Sequence, residues 1–177
     1  MRTSLEWIRS MVPELSCTAQ EYMDAMTLSG SKVEGYEELD ADLEKIVIGQ
    51  IEKIEKHPDA DKLVVCQINV GEEELIQIVT GAPNVFEGAL VPVALHKSRI
   101  PGPLHGQPKQ EGGVKITKGK LRGVPSNGMM CSFQELGLSH GCVPYACENG
   151  ILFLPAGTPV GEDIKKVPVS YTHLTLP

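Results

Sequence analysis

The sequence lacks long apolar segments and regularly spaced cysteines. Its apolar runs are too short to span a bilayer, and the first of them is interrupted by Glu6 and Arg9, unlike a secretory signal. The five cysteines form an odd set without paired two-residue spacing, which argues against a disulfide framework and a zinc ribbon. We therefore expect a soluble, cytoplasmic protein with reduced thiols. These cysteines are Cys17, Cys66, Cys131, Cys142 and Cys147.

An excess of positive charge is also missing. Sixteen basic residues face 23 acidic ones, so the formal net charge is −7, the opposite sign to that of a purely electrostatic nucleic-acid binder. Aromatic residues make up only 5% of the chain, so base stacking is not expected to dominate any RNA binding. Any contact with RNA would have to be confined to a small part of the surface. Its affinity would have to come mainly from contacts to the RNA backbone and from shape rather than from base stacking.

The first forty residues have the pattern of two short helices. Apolar residues at helical spacing in 5–12 are followed by Pro13, which stops a helix. Thr18 with Glu21 three residues later is the pattern of a capping box, and Gly30 ends the second segment. We predict a helical hairpin over residues 1–40, forming part of a small α+β domain.

From Ile46 onward the pattern changes to β-branched alternation, which slips once between Ile48 and Ile51, as a bulge requires. Residues 96–113 are rich in Gly, Pro and His and predict a long loop, and 132–136 predict a short helix. We predict a mainly β fold, a five-stranded oligonucleotide-binding barrel over residues 41–150, inserted into the small α+β domain. The predicted strands are 46–54, 63–70, 75–80, 90–95 and 116–121.

The end of the chain suggests a return to the small domain. Residues 151–154 are a strand candidate, and the turn at 157–163 leads into another short helix. We predict that 151–168 pairs with the first forty residues. The stretch 169–177 resembles translated vector sequence, and we expect it to lie outside the native fold.

Basic residues concentrate between positions 97 and 122, with seven cations against the single acid Glu111, a local charge of +6. Each cation placed against a phosphate releases a counterion, so such a window can bind single-stranded RNA despite the acidic whole. Taken singly, these lysines are more simply the solvated face of an edge strand. As a cluster beside a long loop, they indicate binding. The cations are Lys97, Arg99, Lys109, Lys115, Lys118, Lys120 and Arg122.

The turn after this window supplies further candidates. Ser126 and Asn127 carry groups suited to a base edge or a 2′-hydroxyl, although turn formation explains them equally well. Of Met129 and Met130, alternation places one inward, and we expect Met130 to face outward under a base. The predicted RNA-binding residues are Lys97, Arg99, Lys115, Lys118, Lys120, Arg122, Ser126, Asn127 and Met130.

Metal and thiol chemistry are the competing hypotheses. His140, Cys142 and Cys147 give too few ligands for a closed zinc site, and we predict no metal. Cys131 has apolar neighbours, in which a thiol is inert. His57 lies in a turn and is expected to cap a strand rather than bind metal.

Three segments together resemble the tRNA-binding domain shared by several synthetases and by free tRNA-binding proteins: HPDADKL at 57–63, IVTGAPNV at 78–85 and KLRGVPSNGMMCS at 120–132. The flanks SLEWI at 4–8, LSGSKVEG at 28–35 and ELGL at 135–138 resemble the bacterial phenylalanyl-tRNA synthetase beta subunit. The likeness runs from the start of the chain to about residue 167. The stretch 101–113 departs from it.

The resemblance implies a module of an alpha2-beta2 heterotetramer that ligates phenylalanine to its tRNA with ATP and magnesium. By the same likeness, catalysis lies in the alpha subunit and editing further along the beta subunit. This chain would then bind tRNA without catalysing and hold no cofactor itself; neither a membrane nor DNA is expected as a partner. The alternative is a free-standing, dimeric tRNA-binding or chaperone-like protein with the same barrel.

Overall fold

A computed structural model describes residues 5–35, 43–104, 112–138, 143 and 145–166. The chain divides into two compact units between Leu39 and Asp40. The predicted tail 169–177 and Lys109 lie outside the described residues. Within the described part, no helix has the length and apolar character needed to cross a membrane.

The first unit is the predicted pair of helices, α1 (Leu5–Met11) and α2 (Ala19–Leu28). Thr18 caps α2 as predicted: its hydroxyl accepts from the Glu21 N–H at 3.3 Å, and the Glu21 carboxylate accepts from the Thr18 N–H at 2.8 Å. The hydrogen bond from the Thr18 backbone lowers the pKa of Glu21. Both contacts are local, which is why the sequence alone could predict this helix start.

The second unit is a curled β sheet with the strand order β3-β2-β1-β4-β5, and β8 also pairs with β4, at Val93 and Ala94. Strands β6 and β7 form a separate hairpin. The mainly β, barrel-like fold predicted from the sequence is confirmed. The strands are β1 (Glu44–Lys56), β2 (Val64–Asn69), β3 (Ile76–Thr80), β4 (Leu90–Ile100), β5 (Val114–Ile116), β6 (Gly119–Leu121), β7 (Val124–Ser126) and β8 (Met129–Met130).

The gap between β3 and β8 is bridged by hydrogen bonds rather than by a full ladder. The Asn127 N–H donates to the Gln77 carbonyl, and the Gln77 side-chain amide donates to the Pro125 carbonyl, both at 2.8 Å. Gly128 lets the same turn lie against β4, because a Cβ there would lie 2.5 Å from the carbonyl oxygen of Ala94. The turn at 126–128 therefore links β3 to β4 across this gap.

Several strands, bulges and helices differ in position from those predicted from the sequence. The register of β1 slips between Ile51 and Lys53 and again between Glu44 and Ile46, not between Ile48 and Ile51. Strand β4 runs on to Ile100, so part of the predicted long loop is strand, and the predicted fifth strand is divided into β5 and β6. Residues 132–136 form a hydrogen-bonded turn instead of the predicted helix.

The described residues after Gly150 lie against the barrel. The Leu152 N–H donates to the Cys131 carbonyl at 3.1 Å, and the Leu154 N–H donates to the Leu90 carbonyl at 2.9 Å. These isolated bonds do not make the strand predicted at 151–154. A 3-10 helix, Ile164–Lys166, follows the 157–163 turn as predicted, and Ile164 joins the barrel core. The domain division at residues 40, 150 and 168 stays a prediction.

Candidate nucleic-acid interface

An irregularity in the pairing of β1 with β4 builds the centre of the candidate site. Between Glu44↔Arg99 and Ile46↔Ala94, β1 advances from 44 to 46 while β4 advances from 94 to 99, so β4 carries the extra residues of a bulge. Lys45 and Lys97 lie on the two facing strands in this irregular stretch and have left-handed backbone angles, φ of 55° and 64°. A bulge redirects side chains away from the regular alternation of a strand, and here it does so for two lysines.

His96 marks the point where several cations meet. Its Nδ1 accepts a hydrogen bond of 3.0 Å from the Lys118 N–H. Partial burial lowers the pKa of His96, and the charges of four lysines lower it further. These lysines come from three strands and a connecting segment: Lys97, Lys118, Lys115 and Lys45. Arg99 is the register partner of Lys115 in the β4–β5 ladder. We call Lys45, Lys97, Arg99, Lys115 and Lys118 the cationic cluster.

The cationic cluster is open to solvent. All five side chains are exposed. Among the described residues no ion pair within 4 Å involves any of these five side chains, whereas Lys53 and Glu55, outside the cluster, form one. Each charge is thus available to an anion without the cost of first breaking an ion pair.

Lys120 and Arg122 lie on the β6–β7 hairpin. Arg122 and Gly123 both have positive φ, 47° and 87°, which is the type I′ turn of a two-residue hairpin. Arg122 lines a shallow hollow with residues 59–63, which include Asp59 and Asp61. The structure therefore brings Lys97, Arg99, Lys115 and Lys118 close together, but it places Arg122 beside carboxylates.

His57 holds this hairpin in place. Its Nδ1 accepts from the Asp59 N–H at 3.0 Å, and its Nε2 lies 3.1 Å from the Leu121 carbonyl, to which it donates. Both ring nitrogens of this buried histidine are thus occupied by backbone groups. This structural role is similar to the one expected from the sequence, in which His57 caps a strand rather than binding a metal.

The three remaining predicted site residues lie in the turn at 126–128 or in the adjoining strand β8. The Ser126 hydroxyl is buried, accepting from the Val79 N–H and donating to the Gly128 carbonyl, each at 3.1 Å. Asn127 is half-buried. The expectation that Met130 faces outward is wrong, because it is only 3% exposed and pairs with the buried Val93. Met129 is the more exposed of the two methionines.

The thiols nearest the barrel core are shielded from solvent. Burial raises the pKa of Cys66 to about 11, and it also raises the pKa of Cys131, with the Glu135 carboxylate adding to the effect. A thiol with a raised pKa has little of the reactive thiolate at neutral pH.

Lys45 was missed by the sequence reasoning. It lies some fifty residues before the basic window, next to Glu44, and nothing in its neighbourhood marks it as a binding residue. Only the pairing of β1 with β4 brings it to Lys97.

The curled barrel and its exposed cationic cluster define the class, an oligonucleotide-binding-fold domain with a cationic face. A family model described as "Putative tRNA binding domain" matches residues 46–163, and the chain belongs to this tRNA-binding domain family.

Curated relatives extend the likeness over nearly the whole chain. The phenylalanine–tRNA ligase beta subunit of Clostridium tetani is 47% identical over 94% of this chain and 19% of its own length. Those of Burkholderia pseudomallei (strain K96243) and Listeria innocua are 45% and 41% identical over 90% and 91% of this chain, and 18% and 19% of their own lengths. The chain thus spans about a fifth of these relatives, and the predicted resemblance to an amino-terminal part of the beta subunit is confirmed.

Among solved structures, the crystal structure of the C-terminal domain of Plasmodium vivax p43 is 27% identical to this chain. The match covers 70% of this chain and 59% of that one, with a TM-score of 0.44.

Proposed function

We propose that this chain is the tRNA-binding module of a phenylalanine–tRNA ligase beta subunit and that the cationic cluster holds the tRNA backbone. The observation that carries the proposal is the gathering of exposed cations around His96, from β1, β4, β5 and the segment after β5, none of them ion-paired within the described part of the chain. A cationic face on a small barrel suits the phosphates of an unpaired RNA strand.

Counterion release provides the affinity. Each phosphate neutralised contributes about −0.7 to the salt slope for single-stranded RNA, so five contacts would give a slope of about −3.5. The remaining acidic residues do not prevent this, because charges farther away than about 8 Å are largely screened at physiological ionic strength.

The other predicted site residues have secondary roles in this proposal. Lys120 and Arg122 extend the cationic face along the β6–β7 hairpin. Ser126, Asn127 and Met130 act through the turn that positions this hairpin, since each is at least partly buried.

The whole enzyme is also part of the proposal. We infer from the relatives that the complete beta subunit joins an alpha subunit in an alpha2-beta2 heterotetramer in the cytoplasm. That enzyme would use ATP and magnesium to ligate phenylalanine to tRNA, with its catalytic site outside this chain. The described residues include no group of three or more His, Cys, Asp or Glu placed to share a metal ion.

Salt-dependent tRNA binding tests the proposal. In filter binding between roughly 50 and 200 mM salt, the triple variant Lys97→Ala, Lys115→Ala, Lys118→Ala should bind more weakly, and the magnitude of its slope should fall by about 2. The double variant Lys120→Ala, Arg122→Ala should cause a smaller loss.

A matched control removes three exposed lysines from elsewhere: Lys56→Ala, Lys165→Ala, Lys166→Ala. It changes the net charge equally, so it should leave the slope near the wild-type value. If the two triple variants lose the same affinity and slope, the cluster has no special role and the proposal fails.

A further inference from the structure

His96 lies at the centre of the cationic cluster, yet the proposed function gives it no role. Its ring is half-buried, in the strand segment that carries Lys97. The surrounding charges come from every element that meets there: Lys45 on β1, Lys97 on β4, Lys115 on β5 and Lys118 after β5.

The protein determines which ring nitrogen of His96 carries the proton. The Lys118 backbone N–H is 3.0 Å from Nδ1 and can only donate, so Nδ1 is the acceptor. In the neutral ring the proton then lies on Nε2. Among the described residues Nε2 has no hydrogen-bond partner, so a donor N–H is left available among the lysines.

A second proton on this ring is disfavoured for two reasons. It would have to go to Nδ1, where it would break the hydrogen bond from Lys118. It would also add a positive charge beside four lysines, and these lysines together with partial burial hold the pKa of His96 below its ordinary value. The ring therefore stays a neutral, directional donor at neutral pH.

We propose that His96 is a tRNA-contacting residue whose Nε2–H donates a hydrogen bond, from an uncharged ring, to a phosphate oxygen held by the cationic cluster. This inference rests on the proposed function and adds a contact of a different kind. The lysines attract the backbone without directional preference, whereas one fixed N–H selects a phosphate position.

A neutral donor differs from a lysine in a measurable way. It releases no counterion, so its removal lowers the affinity while the salt slope is unchanged. We expect His96→Ala to weaken binding of a phenylalanine tRNA transcript roughly tenfold, the size of a hydrogen bond to a charged group at an accessible site. The slope should equal that of wild type, unlike that of the triple lysine variant.

The variant His96→Asn separates binding from positioning. Its side-chain oxygen can accept from the Lys118 N–H as Nδ1 does, but it supplies no donor at the place of Nε2. We expect His96→Asn to bind as weakly as His96→Ala. Wild-type affinity in His96→Asn would mean that His96 only positions residues 117–118, and the inference would be overturned.

The protonation state has its own test. Wild-type binding should vary little between about pH 7 and about pH 8 beyond the change shown by His96→Asn, because the pKa of His96 is held below its ordinary value. A gain of roughly threefold or more at the lower pH that disappears in His96→Asn would show a charged ring and overturn the inference. If wild type fails to bind tRNA, the proposed function itself fails, whereas these other two outcomes reject the role of His96 alone.

Discussion

Ser98 occupies a buried position between two exposed cations of β4. Its side chain is fully buried, and its hydroxyl has no hydrogen-bond partner in the described structure. A buried hydroxyl without a partner costs free energy, because it has lost its bonds to water. Serine is therefore a poor choice for packing at this position.

Replacing Ser98 with alanine should stabilise the protein. We expect Ser98→Ala to raise the free energy of unfolding by about 1 kcal/mol, measured from urea unfolding followed by circular dichroism. Ser126→Ala is the matched control, because it removes a buried hydroxyl with two partners and should lower the same quantity by about 1 kcal/mol. If Ser98→Ala destabilises as much as Ser126→Ala, the hydroxyl of Ser98 has a partner in solution.

At the scale of single residues, prediction from sequence succeeded where the cause is local. The capping box of Thr18 and Glu21 needs only three residues of separation, and it forms as expected. Met130 was predicted wrongly because its orientation depends on pairing with Val93, 37 positions away. Alternation shows that one of two neighbouring side chains is buried, but the partner strand decides which one.

At the scale of elements, one side chain ties the segment after Gly150 to the barrel. The Asn84 amide donates to the Ile151 carbonyl at 2.9 Å and accepts from the Ile151 N–H at 3.0 Å. It thereby takes the place of a neighbouring strand. Gly150 makes room for it, because a Cβ there would lie 2.4 Å from the Asn84 nitrogen. These two hydrogen bonds to Ile151 explain why an asparagine occupies position 84 of the IVTGAPNV segment.

Loss of this amide should loosen the segment. We expect Asn84→Asp to lower the free energy of unfolding by about 1–3 kcal/mol, since a carboxylate oxygen would face the Ile151 carbonyl. Hydrogen exchange of the 151–154 amides should accelerate more than that of β2.

The neighbouring substitution Asn149→Ala provides a control. Asn149 is exposed, and we expect its replacement to change stability by less than about 0.5 kcal/mol. Equal exchange rates at 151–154 in Asn84→Asp and in wild type would show that the amide does not hold the segment.

The strands, like the single residues, were predicted correctly where local sequence determines them and not where distant pairing does. The first four were predicted close to their observed positions, since alternation and turn residues mark them. The extension of β4 to Ile100 was not, because 96–99 is a run of polar residues whose pairing with β5 cannot be read locally. That extension is what brings Lys97 and Arg99 to Lys115, so the candidate site depended on the part of the fold that was hardest to predict.

At the scale of the whole molecule, charge is segregated rather than balanced. The chain carries a net charge of −7, yet its cationic cluster has no ion pair among the described residues. Acidic surface elsewhere disfavours nonspecific binding of polyanions over the whole molecule, while the cluster attracts one strand locally. The excess of basic residues between positions 97 and 122 is visible in the sequence, but which cations lie together, including Lys45, follows only from the fold.

The size of the chain relative to its relatives leads to the last prediction. It spans about a fifth of the phenylalanine–tRNA ligase beta subunits that it resembles, and the candidate site is a solvent-exposed face suited to binding. Catalysis requires groups held around the reacting atoms, which an open cationic surface does not provide. We therefore expect the purified chain to show no phenylalanine-dependent exchange of pyrophosphate into ATP, with an intact two-subunit ligase assayed in parallel as the positive control. Exchange that persists through further purification and is abolished by the triple lysine variant would place catalysis on this chain and contradict its assignment as a binding module.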